Sequence, residues 1–167
     1  MIRGEAVPSG QAGSALGDID PSHPGIVPYG GGVAHAGQEL GSDAFRLRLV
    51  KTRAETDGEL LEMEARYGGD GVLPPEHLHP KQVERFEVLE GRVRTIIGGE
   101  ERIYEAGEMF EVPAGRPHQM AGDGPARMRR QVRPALRTAE FFERMLSGNV
   151  GEGFLEEFRE EIRFTSA

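Results

Sequence analysis

The chain has 167 residues, 37% of them apolar and 24 of them glycine, with a formal net charge of −8. That length supports one domain around a single core, and the composition is that of a globular protein, which excludes disorder of the whole chain. The acidic balance argues against nucleic acid and anionic membrane surfaces, which are gripped by Lys and Arg, and the lack of cysteine excludes disulfides, thiolate nucleophiles and cysteine-ligated metals.

Residues 1–43 form the first region. Ten glycines and four prolines fall within residues 1–41, and nothing there repeats with the period of a strand or a helix. Prolines at 8, 21, 24 and 28 each remove a backbone donor and disfavour helix before them. The expectation is an irregular arm, folded over the rest of the chain or a neighbouring subunit, with His23 and His35 as solvated side chains. Met1-Ile2-Arg3-Gly4-Glu5 leads into Gly, Ser and Pro without an apolar run, so neither a secretory signal nor a membrane span is read. A soluble cytoplasmic protein is expected.

Residues 44–133 read as strands and turns. Phe45-Arg46-Leu47-Arg48-Leu49 alternates apolar and polar, as a strand with one buried face does. Residues 60–67 alternate likewise, with Leu61, Met63, Ala65 and Tyr67 on one side. Further strands are expected at 85–89, 92–97, 102–104, 109–112, 118–120 and 127–132, punctuated by Gly-rich turns at regular spacing. Many short strands in this rhythm predict a sandwich or barrel.

In residues 134–167 the period changes. Thr138 is placed to cap a helix carrying Phe141, Phe142, Met145 and Leu146 on one stripe, ending at Ser147-Gly148. A second helix from about residue 152 would align Phe154, Leu155, Phe158 and Ile162. These stripes are core surfaces, expected against the outside of the barrel or a dimer partner.

Two short segments carry the chemistry. His77 and His79 are two apart, so on a strand both imidazoles point one way. Glu84 opens the next strand, which can return antiparallel and aim its carboxylate at the same point. The tight Pro113-Ala114-Gly115 turn lets His118 begin a strand facing the first two histidines. Three imidazoles and a carboxylate converging inside a barrel suit a divalent first-row metal. A lone histidine or a His-X-His pair on an exposed face means little by itself; the joint spacing carries the reading.

The segments resemble the two signature motifs of the cupin superfamily. Gly71, His77, His79, Glu84 and Gly91 meet the first, and Gly107, Pro113, Gly115 and His118 the second, with fifteen residues between them, as in small single-domain bacterial cupins. Gly122 departs from the pattern, which has Asn there. The resemblance covers residues 44–133 and implies an all-β, double-stranded β-helix (jelly-roll) cupin barrel, with the irregular arm and C-terminal helices as appendages. It also implies one metal in the barrel mouth on His77, His79, Glu84 and His118, and a homodimer paired through strand edges.

Four protein ligands on an ion that takes six leave positions for a substrate, so the site is open rather than structural. The ligand types admit Fe first, then Mn, Ni, Zn or Cu. Met63, Tyr67, Phe86, Val88, Phe110 and Met120 are candidates to line a substrate pocket, with ordinary core packing as their alternative. Arg130 shares parity with Met128 and Val132 and could point inward to an acidic substrate or to a strand glutamate. The function expected is a metal-dependent oxygenase of a small carbonyl-bearing or enolisable compound. The alternatives are a non-redox isomerase, epimerase or cyclase, and a non-catalytic small-molecule or metal-binding module.

Overall fold

The structure, a computed structural model, describes residues 33–165. Most of the expected arm, His23 included, lies outside the described residues, as do residues 166 and 167. Eleven strands and two helices are formed among the described residues: β1 (Glu39–Gly41), β2 (Phe45–Lys51), β3 (Leu61–Tyr67), β4 (His77–Leu78), β5 (Val83–Glu90), β6 (Arg92–Ile97), β7 (Glu100–Glu105), β8 (Met109–Val112), β9 (His118–Gly122), β10 (Ala126–Arg133), α1 (Thr138–Leu146), α2 (Phe154–Glu157) and β11 (Arg163–Phe164). They make two antiparallel sheets, ordered β1-β2-β3-β10-β5-β8 and β11-β4-β9-β6-β7, in the expected jelly-roll arrangement. No helix among the described residues is long and apolar enough to cross a membrane.

Alternation along each strand and the register between strands assemble the inner face of the six-stranded sheet in rows. Leu61 pairs with Val132, Val132 with Glu84, and Glu84 with Val112. The next row runs Leu49, Met63, Arg130, Phe86 and Phe110. Side chains directly opposite on neighbouring strands share a face, so Glu84 and Arg130 are inward-facing charges among apolar neighbours. The opposite face is charged and paired, as between Arg127 and both Glu64 and Glu90, and between Arg129 and Glu87.

Two covers close this inner face. Over β5, β8 and β10 lies the five-stranded sheet, and Phe86, Val88, Phe110, Val112 and Met128 pack with Val93, Tyr104 and Met120. Over β1, β2 and β3 lie the helices, where Leu47, Leu49, Leu61 and Met63 pack with Phe141, Phe142, Phe158 and Ile162. The aromatic stripe is core, as read from its spacing, but it covers the inner face of the sheet and not the outside of a barrel. The five-stranded sheet does not extend over β1 to β3, and the helices take its place.

Other expectations change in detail. Residues 39–41 belong to the sheet rather than the arm, because Leu40 pairs with Leu47 and is buried. Thr138 does not cap α1; the cap position is Arg137, without a side-chain cap bond. Instead the buried Thr138 hydroxyl accepts from Gln82 Nε2 at 2.8 Å, and the same amide donates to the carbonyls of Pro134 and Ala135. The second helix is one turn, and Leu155 is exposed while Phe158 and Ile162 stay buried beyond its end.

Candidate metal centre

Strand pairing brings the histidines together from distant parts of the sequence. His77 on β4 is the direct register partner of His118 on β9, so their rings share one face of the five-stranded sheet with centroids 4.4 Å apart. His79 follows one residue beyond β4, its carbonyl accepting from the Gly115 amide at 2.8 Å. The Pro113-Ala114-Gly115 turn is thereby fastened to the first segment. The ligand atoms of the three histidines all lie within 4.8 Å of one another. His79 and His118 are buried, and His77 is half-buried at the rim.

Glu84 comes in from the opposite sheet beside His79 and His118 and is fully buried. Its Oε2 lies 3.0 Å from His118 Nε2 and 3.3 Å from His79 Nε2. Its Oε1 is taken by Arg130, whose Nε donates at 2.8 Å and whose Nη2 makes a second, shorter contact. Arg130 therefore turns inward, as its parity predicts, but it faces a strand glutamate. Its guanidinium is wedged between the rings of Phe86 and Phe142, 5.7 and 5.0 Å from their centroids.

The hydrogen bonds of the rings settle where their lone pairs point. His77 Nδ1 meets the Pro75 carbonyl at 3.0 Å, His118 Nδ1 the Arg116 carbonyl at 3.0 Å, and His79 Nδ1 the Glu161 carbonyl at 2.6 Å. A carbonyl only accepts, so each Nδ1 carries the hydrogen, and in a neutral ring Nε2 is left with a bare lone pair. Burial, ahead of the neighbouring charges, lowers His77 to about 3 and His79 to about 4, so both rings are neutral near pH 7. For Glu84 burial alone would raise the carboxyl. The charge of Arg130, the largest opposing influence, outweighs it and holds the group ionised, well below the usual carboxylate range.

This donor set fits a metal ion. Glu84 Oε2 is a buried oxygen without a hydrogen-bond partner, and it faces imidazole nitrogens that have no hydrogen to give when neutral. Such acceptors repel one another unless a proton or a cation lies between them, and Arg130 Nη2 lies 3.5 Å from His79 Nε2. Two bonds of about 2.1 Å at a right angle separate their donors by about 3.0 Å, which matches the spacing around Oε2.

The remaining candidates pack in or against the hydrophobic cores. Met63, Phe86, Val88, Phe110 and Met120 are packed in the two cores, with Phe110 stacked between Tyr104 and Phe86. Tyr67 is half-buried against Phe45, and burial raises its hydroxyl to about 12, so it stays protonated. Cavities of about 660, 480 and 190 Å³ are lined by other residues. Gly122 explains its own departure from the motif: a Cβ there would stand 2.7 Å from Tyr67 Cβ and 2.5 Å from the Gly124 carbonyl oxygen, leaving no room for Asn. What the sequence did not reveal is the Glu161 carbonyl on His79, because a backbone acceptor has no residue signature.

Comparison with known proteins agrees with the fold. The family model for the cupin domain matches residues 63–129. A quercetin 2,3-dioxygenase of Bacillus subtilis (strain 168) is 32% identical over 73 residues, 44% of this chain but only 22% of that protein. Among solved structures, an RmlC-like cupin from Shewanella frigidimarina NCIMB 400 superposes with a TM-score of 0.51 at 17% identity, over 59% of this chain and 83% of that one. Ectoine synthase from P. lautus does so with a TM-score of 0.51 at 15% identity, over 77% and 81%. At these identities the structural likeness speaks for the fold alone.

Proposed function

Residues 63–129 being a cupin domain, we propose that His77, His79, His118 and Glu84 hold one divalent transition metal, iron first. On this reading the protein is a metal-dependent oxygenase of a small carbonyl-bearing or enolisable compound. The observation that carries it is the unpartnered Glu84 Oε2 facing two imidazole nitrogens at 3.0 and 3.3 Å. The stretch shared with a dioxygenase favours oxygen chemistry over the other reactions this fold hosts. A redox-capable ion in such a site supplies activation of dioxygen and polarisation of a chelated carbonyl.

The chain's own residues do the rest. Arg130 occupies Oε1 and so presents only Oε2 of Glu84 to the centre, while cancelling the carboxylate charge. The three Nδ1 hydrogen bonds fix the rings with Nε2 inward. His77, at the rim, marks the side from which a guest arrives. Phe86 and Phe142 keep the Arg130–Glu84 pair away from water.

Anaerobic loading of the protein with Fe(II), followed by oxygen uptake with a panel of diketones, enols and phenols, tests this reading. Uptake that requires iron and one class of compound supports it. Absence of uptake with every metal refutes oxygenase chemistry, and turnover without air on zinc would replace it with Lewis-acid chemistry. The expected homodimer is likewise a proposal. Strands β7 and β8 are edges of the two sheets and expose Ile103 and Met109, and a monomeric mass in light scattering would reject it.

A further inference from the structure

The three imidazoles are not oriented by the same part of the chain. His77 and His118 each donate from Nδ1 to the carbonyl two residues upstream, Pro75 and Arg116, so their own strands set them. His79 donates to Glu161, 82 residues downstream. That acceptor lies beyond α2 and beyond residues 63–129, the part that matches the cupin domain. The segment bearing it is fastened on both sides. Before the carbonyl, Phe158 is fully buried; after it, Ile162 is buried in the same helix-side core. Next, Arg163 and Phe164 pair with Leu78 and His77, with the Phe164 ring 6.0 Å from that of His77. Last, the Thr165 amide donates to the Glu76 carbonyl at 3.1 Å and its hydroxyl to the Glu76 carboxylate at 2.6 Å.

Packing of Phe158 and Ile162 would by itself make this segment an ordinary core element. The pairing of β11 with the very strand that carries His77, and the carbonyl placed on His79, tie it to the chemistry instead. We propose that residues 158–165 are a strap that completes the metal centre. By holding the Glu161 carbonyl against His79 Nδ1, the strap keeps Nε2 of that ring inward, so strap docking and metal binding stabilise each other. A ring without its acceptor samples both tautomers and both flips, and must be reordered each time an ion binds. Outer partners of this kind change metal affinity by about 10- to 100-fold, and linkage makes the effect reciprocal, so the ion tightens the strap by the same factor. The inference rests on the metal reading above.

Two variants of the full chain loosen the strap while leaving every ligand in place. Thr165→Pro removes the amide hydrogen and hydroxyl that fasten its end to Glu76, and Ile162→Asn weakens its anchor in the core. Nitrogen-15 spectra of the imidazoles in metal-free protein show which ring nitrogen bears the hydrogen. The expected result is a mixture of tautomers at His79 alone, with His77 and His118 still as Nδ1–H, and a zinc Kd raised about 10- to 100-fold. In the unaltered chain, zinc is expected to slow hydrogen exchange of the 161–165 amides by a similar factor. Free exchange of those amides in a variant, with the His79 tautomer and zinc Kd unchanged, overturns the strap alone. An unaltered chain that takes up no zinc overturns the metal reading and the coupling with it.

Discussion

The two halves of the six-stranded sheet's inner face present the same alternation of side chains but carry different covers. Under the five-stranded sheet, Phe86, Val88 and Met128 meet residues of other strands; under α1 and α2, Leu47, Leu49 and Met63 meet a cluster of phenylalanines. The seam between them runs through the row Met63–Arg130–Phe86, and there the guanidinium of Arg130 lies between Phe86 of one half and Phe142 of the other. The sheet-covered half supplies the scaffold on which the motifs sit. The helix-covered half closes the centre from behind and sends the strap back to it. The charged pair at this boundary withstands burial because its two members neutralise and hydrogen-bond each other.

The two halves are probed most strongly through their cores. Phe86→Ala and Phe158→Ala, both at essentially buried rings, are expected to cost about 3–5 kcal/mol each in urea unfolding of the metal-free protein. A small effect of Phe158→Ala would mean that the helices are a loosely attached appendage. At the seam, Arg130→Met leaves the Glu84 carboxylate buried without its cation, an expected loss of about 3 kcal/mol or more. Zinc should restore much of that loss by supplying a counter-charge, and adding Glu84→Gln should restore part of it without metal. Gln82→Ala strips its partner from the Pro134 and Ala135 carbonyls and the Thr138 hydroxyl where the sheet-covered half joins α1. The expected cost is about 1–3 kcal/mol, seen as a lower urea midpoint.

A further effect is with pH. The unfolded chain protonates histidine below about 6.5, whereas folded His79 and His77 resist protonation down to about 4 and 3. Between those values the unfolded state binds more protons, so stability of the metal-free protein falls as pH falls through this window. Zinc binding by these two rings should hold until about pH 4 for the same reason. Thermal unfolding in chelator at pH 7.5 and 5.0 checks the slope, which His77→Ala and His79→Ala should flatten.

Residues within the motif region were the most legible, because local alternation and Gly-rich turns dictate them. The expected strands 92–97 and 109–112 have the bounds observed for β6 and β8. His77, His79 and His118 converge because strand parity and one tight turn leave them few alternatives. Elements made by distant contacts were illegible. The two-residue strands β4 and β11 exist only through each other and β9, and β1 looks like loop until Leu40 finds Leu47. The period of Phe154, Phe158 and Ile162 suits a longer helix than the single turn formed. Helical propensity is a weak force in so short a segment, and pairing with β4 together with the bond to His79 overrides it.

Titration of chelator-treated protein with Co(II), followed by its visible spectrum, shows whether the buried histidines bind an ion. One equivalent should bind, with the spectrum of a nitrogen- and oxygen-ligated ion, and His79→Ala or His118→Ala should abolish it. An unaltered chain that takes up no cobalt, or uptake indifferent to the loss of these histidines, would mean that they hold no metal.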